Sequence, residues 1–183
     1  MEKQGTASQL ALPEGVLYIG VDESNHGRFP EIIVGAMSGL REKAIQGTYE
    51  KQRKINIIPP SWLNEIDYSF FVINKRDHKR TLKPNFIGLE ISTLLQDLNN
   101  PHLKLLNISL DGIVLESKRH YVRDMVSEVC SFPKEAITFN FGAKFDEIYP
   151  LVNLADTIAY NLAFHSNPKS LENHPSRKYL IKG

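Results

Sequence analysis

Tyr18-Ile19-Gly20-Val21-Asp22-Glu23-Ser24 is the stretch on which the fold turns. It closes an apolar run that starts at Gly15 and ends abruptly in two carboxylates. Val, Ile and Tyr favour a pleated strand, and the run is too short for a good helix. Ser24-Asn25-His26-Gly27 then supplies turn residues. The reading is a core strand that delivers Asp22 and Glu23 at its C-terminal end. Neighbouring carboxylates repel, and partial burial raises the cost. A divalent cation or a basic side chain offsets it. Taken alone, such a pair is an ordinary strand-end turn, so a metal reading needs acids from elsewhere in the chain.

Further along, Glu31 to Ser38 is a second β-rich run, close enough to pair with the first as an antiparallel hairpin. Gly39 to Asp67 reads as a surface excursion broken by Pro59-Pro60, and Tyr68 to Ile73 as a third strand. A basic loop follows, with Lys75, Arg76, Lys79, Arg80 and Lys83. Pro84 suits the start of a helix that Asn99-Asn100-Pro101 stops. Leu103 to Leu110 reads as a fourth strand, running into Asp111-Gly112. Arg119 to Cys130 is a helix with Val122, Met125, Val126 and Val129 on one face. Ala136 to Phe141 is a fifth strand, and Leu151 to His165 a last helix. Three β runs followed by helix, strand, helix, strand and helix predict an α/β fold. We expect a five-stranded mixed sheet in the order 3-2-1-4-5, flanked by helices. Strands one, four and five would be parallel and two and three antiparallel beside them.

In open α/β sheets, sites form beyond the C-terminal ends of parallel strands. Strands one and four both end in an acid, so Asp22 and Asp111 would lie side by side there. Gly112 lets the chain turn away sharply. Asp156 sits in a markedly apolar helix, Leu151 to Ala163, with Val152, Ala159 and Ala163 three, four or seven residues away. Small residues on that face would bring the helix close to the sheet and its carboxylate close to the strand ends. Four acids from three separate segments suit magnesium or manganese, which take oxygen ligands. Two such ions can activate water and stabilise the leaving oxygen in phosphodiester cleavage.

These motifs resemble the ribonuclease H-like superfamily. Gly20-Val21-Asp22-Glu23-Ser24 is similar to the first strand of type 2 ribonucleases H, and the order of elements is similar to the superfamily core. Leu110-Asp111-Gly112 and Leu154-Ala155-Asp156 resemble the later acidic motifs. An uncharacterised branch of the superfamily also pairs an Asp-Glu-Ser start with a late Leu-Ala-Asp helix. The resemblance spans roughly Val16 to His165 and implies that Asp22, Glu23, Asp111 and Asp156 are both metal-binding and catalytic. Type 2 enzymes follow the acids with Gly-Arg-Gly. Here Asn25-His26 intervene before Gly27-Arg28 and no second glycine follows, so the resemblance does not reach hybrid or junction specificity.

Arg28, Lys75, Arg76, Lys79, Arg80 and Lys144 are the candidate contacts to a nucleic-acid backbone. Glu90 is a further candidate ligand, and His26 a candidate proton shuttle. Trp62, Phe70 and Phe71 could stack on bases, although core packing is the better account of them. The expected activity is metal-dependent hydrolysis of phosphodiester bonds in RNA, DNA or a hybrid. The competing reading is an inactive module of the same fold that binds nucleic acid or protein.

Bulk composition sets the remaining bounds. The 183 residues are 42% hydrophobic and 23% charged, which suits a soluble domain with a real core. A formal net charge of +1 excludes a strongly basic overall field, so a nucleic-acid partner needs a local basic patch. Cys130 is the only cysteine, which excludes an intrachain disulfide or a cysteine zinc cage and fits a cytoplasmic setting. No apolar run approaches membrane-spanning length, and no membrane partner is expected. Residues 1–13 read as a flexible lead-in, 14–166 as the domain, and 167–183 as a basic tail. No Gly-rich phosphate loop is present.

Overall fold

The computed structural model describes residues 11–24, 31–41, 67–73, 88, 91, 100–112, 116–165 and 177–181. The strands are β1 (Val16–Ser24), β2 (Glu31–Ser38), β3 (Asp67–Ile73), β4 (Leu105–Asp111), β5 (Ile137–Gly142) and β6 (Arg177–Ile181). The two α-helices among the described residues are α1 (Glu116–Cys130) and α2 (Pro150–His165). The sheet is mixed, in the order β5-β4-β1-β2-β3-β6. β1 pairs parallel with β4, and β4 parallel with β5, whereas β1 to β2 and β2 to β3 are antiparallel. The expected count of five is corrected to six. Arg177–Ile181, read from sequence as part of the tail, pairs parallel with β3. That segment is short, and its strand character comes from the edge it docks on rather than from its own pattern.

Strand alternation divides the core in two. Leu17, Ile19 and Val21 of β1, Ile33 and Met37 of β2, and Leu106, Ile108 and Leu110 of β4 cluster with Val122 and Val126 of α1. Leu12, Ile91 and Ile137 complete that cluster. On the opposite face, Tyr18, Ile32, Val34, Ala36 and Phe70 cluster with Leu151, Leu154, Ala155, Ile158, Ala159 and Leu162 of α2. Successive side chains of a strand point to opposite faces, so β1 and β2 each feed both cores. Val129, placed by periodicity on the buried stripe of α1, is 55% exposed; Val122 and Val126 alone carry the deep packing. Phe70, a candidate for base stacking, is fully buried.

Gly20 decides how near α2 comes to the sheet. A Cβ on Gly20 would overlap the backbone of Leu151 and Val152. The start of α2 therefore rests directly on β1, which only a residue without a side chain permits.

Candidate functional site

β1 and β4 run in parallel register, with Val21 opposite Leu110, so Asp22 and Asp111 follow as the next pair along the two strands. Alternation places both on the face covered by α2. Tyr18, four residues before Asp22, packs in that core, whereas Leu106, Ile108 and Leu110 pack on the other side. Asn107, Ser109 and Asp111 therefore form a polar row on the α2 side of β4. Asn140 of β5 braces that row, donating from Nδ2 to Asn107 Oδ1 at 3.0 Å and Ser109 Oγ at 3.5 Å.

Each strand-end acid is anchored through one oxygen. The Glu23 N–H donates to Asp22 Oδ1 at 2.7 Å, and the Phe145 N–H donates to Asp111 Oδ1 at 2.6 Å. The second oxygen of each carboxylate is not used by these bonds. Phe145 opens the short 3-10 helix Phe145–Glu147, whose preceding residue Lys144 is left-handed at φ 63°. The Phe145 ring lies over Gly142, where a side chain would collide with it. Gly142 is the β5 partner of Asp111. Gly112 leaves β4 at φ 101°, a conformation that favours glycine.

α2 brings the third acid. Asp156 is half-buried, with its Oδ2 atom fully covered. Its charge reaches Asp22, which is only 5% exposed. The Asp22 carboxyl is pushed up to about 8, first by burial, then by Asp156, with smaller contributions from Asp111 and Glu23. The Glu23 N–H bond opposes the rise. Asp22, Asp111 and Asp156 thus share one electrostatic environment at one end of the sheet. Glu23 reaches that environment from elsewhere: alternation assigns it to the α1-facing side, opposite Ile33.

Whether these acids suit a metal is a question of donor type and of spacing. The donors are all carboxylate oxygens, which match magnesium or manganese. Crowded buried negative charge is also what a divalent cation relieves. Spacing is less favourable. Among the described residues, no three His, Cys, Asp or Glu side chains stand as a closed chelate. The chemistry therefore fits, and binding would require the acids to draw together.

The other predicted residues divide in two. Lys144 is exposed beside the end of β5 and lies 3.6 Å from Glu147 in an exposed ion pair. Arg28, Lys75, Arg76, Lys79 and Arg80 lie outside the described residues, as do His26, Trp62 and Glu90. Cys130 is half-buried and packs at the edge of the α1 core.

Three residues near this end of the sheet escaped sequence reasoning. Ser24 Oγ and Asn153 Oδ1 are buried with no hydrogen-bond partner. Ser24 shares the Asp22 face of β1, and Asn153 lies one turn before Asp156. A polar residue inside the apolar start of α2 was the available signal for Asn153. The third is Arg119 of α1, whose guanidinium lies 5.2 Å over the Phe141 ring. Phe141 immediately precedes the residue paired with Asp111.

No family model and no curated protein matches the sequence. Solved structures do match. A mutant of Bst-RNase HIII superposes with a TM-score of 0.53 at 16% identity, covering 94% of this chain and 58% of that one. The chain thus spans little more than half of that neighbour. A chain of the PCNA:RNase HII complex from Archaeoglobus fulgidus gives a TM-score of 0.47 at 12% identity, covering 85% of this chain and 84% of that one. Ribonuclease H2 from Pyrococcus horikoshii OT3 gives 0.43 at 18% identity, with 85% and 84% covered. Identities this low speak to architecture alone. Together with the mixed sheet and its flanking helices, the likeness establishes that this chain has a ribonuclease H-like fold.

Proposed function

We propose that the chain is a divalent-metal-dependent nuclease that hydrolyses phosphodiester bonds of RNA, DNA or a hybrid. Asp22, Asp111 and Asp156 would hold magnesium or manganese, with Glu23 contributing from the neighbouring face. Two such ions, when bound, would supply an activated water and stabilise the leaving oxygen. The chain's own part is to orient the carboxylates toward one end of the sheet, through the Glu23 and Phe145 amides and the close seat of α2 on Gly20. Lys144, Arg28 and the basic residues Lys75, Arg76, Lys79 and Arg80 are proposed backbone contacts, whose contribution would weaken steeply with salt.

The observation that carries this reading is Asp22. A buried carboxyl repelled by Asp156 and Asp111 and pushed up to about 8 is a poor structural element. Strongly perturbed groups of this kind concentrate at functional sites. The test is a panel of single-stranded, double-stranded and hybrid nucleic acids incubated with magnesium or manganese. Cleavage that EDTA abolishes and that Asp22→Asn and Asp111→Asn each remove is the expected result. A folded protein that cuts no member of the panel would falsify the proposal.

One observation favours a second reading. The absence of a closed chelate among the described residues suits an inactive binding module of the same fold. That reading predicts salt-sensitive nucleic-acid binding that Asp22→Asn leaves unchanged.

A further inference from the structure

Two hydrogen bonds tie separate arms of the acid cluster to one short segment. Asp111 Oδ1 accepts the Phe145 N–H at 2.6 Å, at the start of the 3-10 helix Phe145–Glu147. One residue later, the Asp146 carbonyl oxygen accepts Asn153 Nδ2 at 3.0 Å. Asn153 lies three residues before Asp156 on α2, hence near the same helix face. Asp111 and Asp156 come from different elements, and this segment bridges them. The bond from Asn153 is fully buried, where loss of a partner costs more than at the surface.

Asn153 carries a second feature. It is only 4% exposed, and its Oδ1 makes no hydrogen bond. Ser24 Oγ, on the α2 side of β1 and 6% exposed as a residue, is in the same condition. Buried polar atoms are almost always paired, and exceptions point to a water, an ion or a function. An acceptor and a hydroxyl left over beside three acids are what a hydrated ligand at the cluster would satisfy. Neither residue is needed by the apolar core, and leucine or alanine would serve packing alone better.

We propose that Asn153 is a positioning residue: its amide nitrogen locks the 3-10 helix to α2 and so sets Asp111 against Asp156, while its carbonyl oxygen accepts from a ligand-bound water. The clamp itself is independent of the nuclease reading; the ligand contact rests on it. Residues that orient metal ligands in this way typically change affinity by about 10–100-fold when replaced.

The test is Asn153→Leu, which keeps side-chain bulk and removes both polar atoms, with two readouts. Amide hydrogen exchange at Phe145 should quicken at least tenfold, while Ile19 and Val21 in the apolar core keep their rates. Manganese affinity, titrated by water-proton relaxation, should fall about 10–100-fold, and Asp111→Asn should add little to that loss. Should the leucine variant fail to fold, Asn153→Ser gives the same readouts without new apolar bulk. Unchanged Phe145 exchange in a folded variant overturns the clamp. Wild-type protein that binds no manganese removes the nuclease reading and the ligand contact, yet Phe145 exchange still decides the clamp.

Discussion

The two faces of the sheet do different work. The α1 side is apolar along its central strands: Leu17, Ile19 and Val21 on β1 lie against Leu106, Ile108 and Leu110 on β4. The α2 side of the same strands begins apolar, at Tyr18, and turns polar toward the C-terminal end. There Gly20, Asp22 and Ser24 stand beside Asn107, Ser109 and Asp111. The same backbone serves both because side chains alternate. One face supplies burial free energy, and the other offsets some of it with groups that are costly to bury. Such local sacrifice in an otherwise consistent fold is where function is expected.

The largest expected effect breaks the comparison from the apolar side. Ile108 is fully buried, so Ile108→Ala should lower unfolding free energy by about 2–5 kcal/mol. Denaturant titration measures it, and the variant that still folds should bind manganese as the wild type does. A weaker manganese site in a folded Ile108→Ala protein would show that the faces are not independent.

Gly20→Ala attacks the other face. Its Cβ meets the backbone of Leu151 and Val152, which cannot rotate away. We expect a loss of about 3 kcal/mol, the upper end for overpacking. Because α2 must lift to make room, Asp156 should also move away from Asp22. Unlike Ile108→Ala, this variant should lose metal binding out of proportion to stability.

Asp22→Asn sharpens the contrast by acting with the opposite sign. Without a metal, burial and the neighbouring acids push the folded Asp22 carboxyl up to about 8, from the 3.8 of an unperturbed group. Below about pH 4 both folded and unfolded chains hold this proton. Between those values the unfolded chain gives it up while the folded one keeps it. The contribution of this group to stability therefore falls as pH rises from about 4 to 8. Asparagine does not titrate, so the variant should be the more stable protein at pH 8 by at least about 1.4 kcal/mol, one pKa unit's worth. Thermal unfolding at several pH values checks this. Added manganese should stabilise the wild type and leave the variant unchanged.

Arg119→Ala is the smallest change. It removes an exposed guanidinium from the Phe141 ring, worth about 0.5–1 kcal/mol. The loss of this ring contact should lower stability by about that much. A larger loss of nucleic-acid affinity than of stability would place the α1 side of this sheet end in contact with substrate.

Much of the fold was legible because strands rich in Val, Ile and Phe announce themselves. β2 has the expected bounds, Glu31 to Ser38, and the parallel and antiparallel partners of β1 are those expected. The ends shifted by a residue or two, as with Leu105–Asp111 for the fourth strand. β6 was not legible, since Arg177-Lys178-Tyr179-Leu180-Ile181 is a strand only by virtue of β3 beside it. Asp22, Asp111 and Asp156 stood out one by one, as acids where apolar runs end or where an apolar helix should continue. The seat of Glu23 on the other side of the sheet was implicit in alternation, yet adjacency in sequence hid it.

Residue order alone determined the first five strands, the helices Glu116–Cys130 and Pro150–His165, and that acids stand at the C-terminal ends of two of those strands. Those properties are local: they follow from side-chain shape and from periods of two and 3.6 residues. Only the tertiary structure decided that α2 rests on Gly20, that Asp156 raises the Asp22 carboxyl, and that Asn153 reaches the Asp146 carbonyl. Those properties depend on distances between residues far apart in the chain, and it is packing that sets such distances.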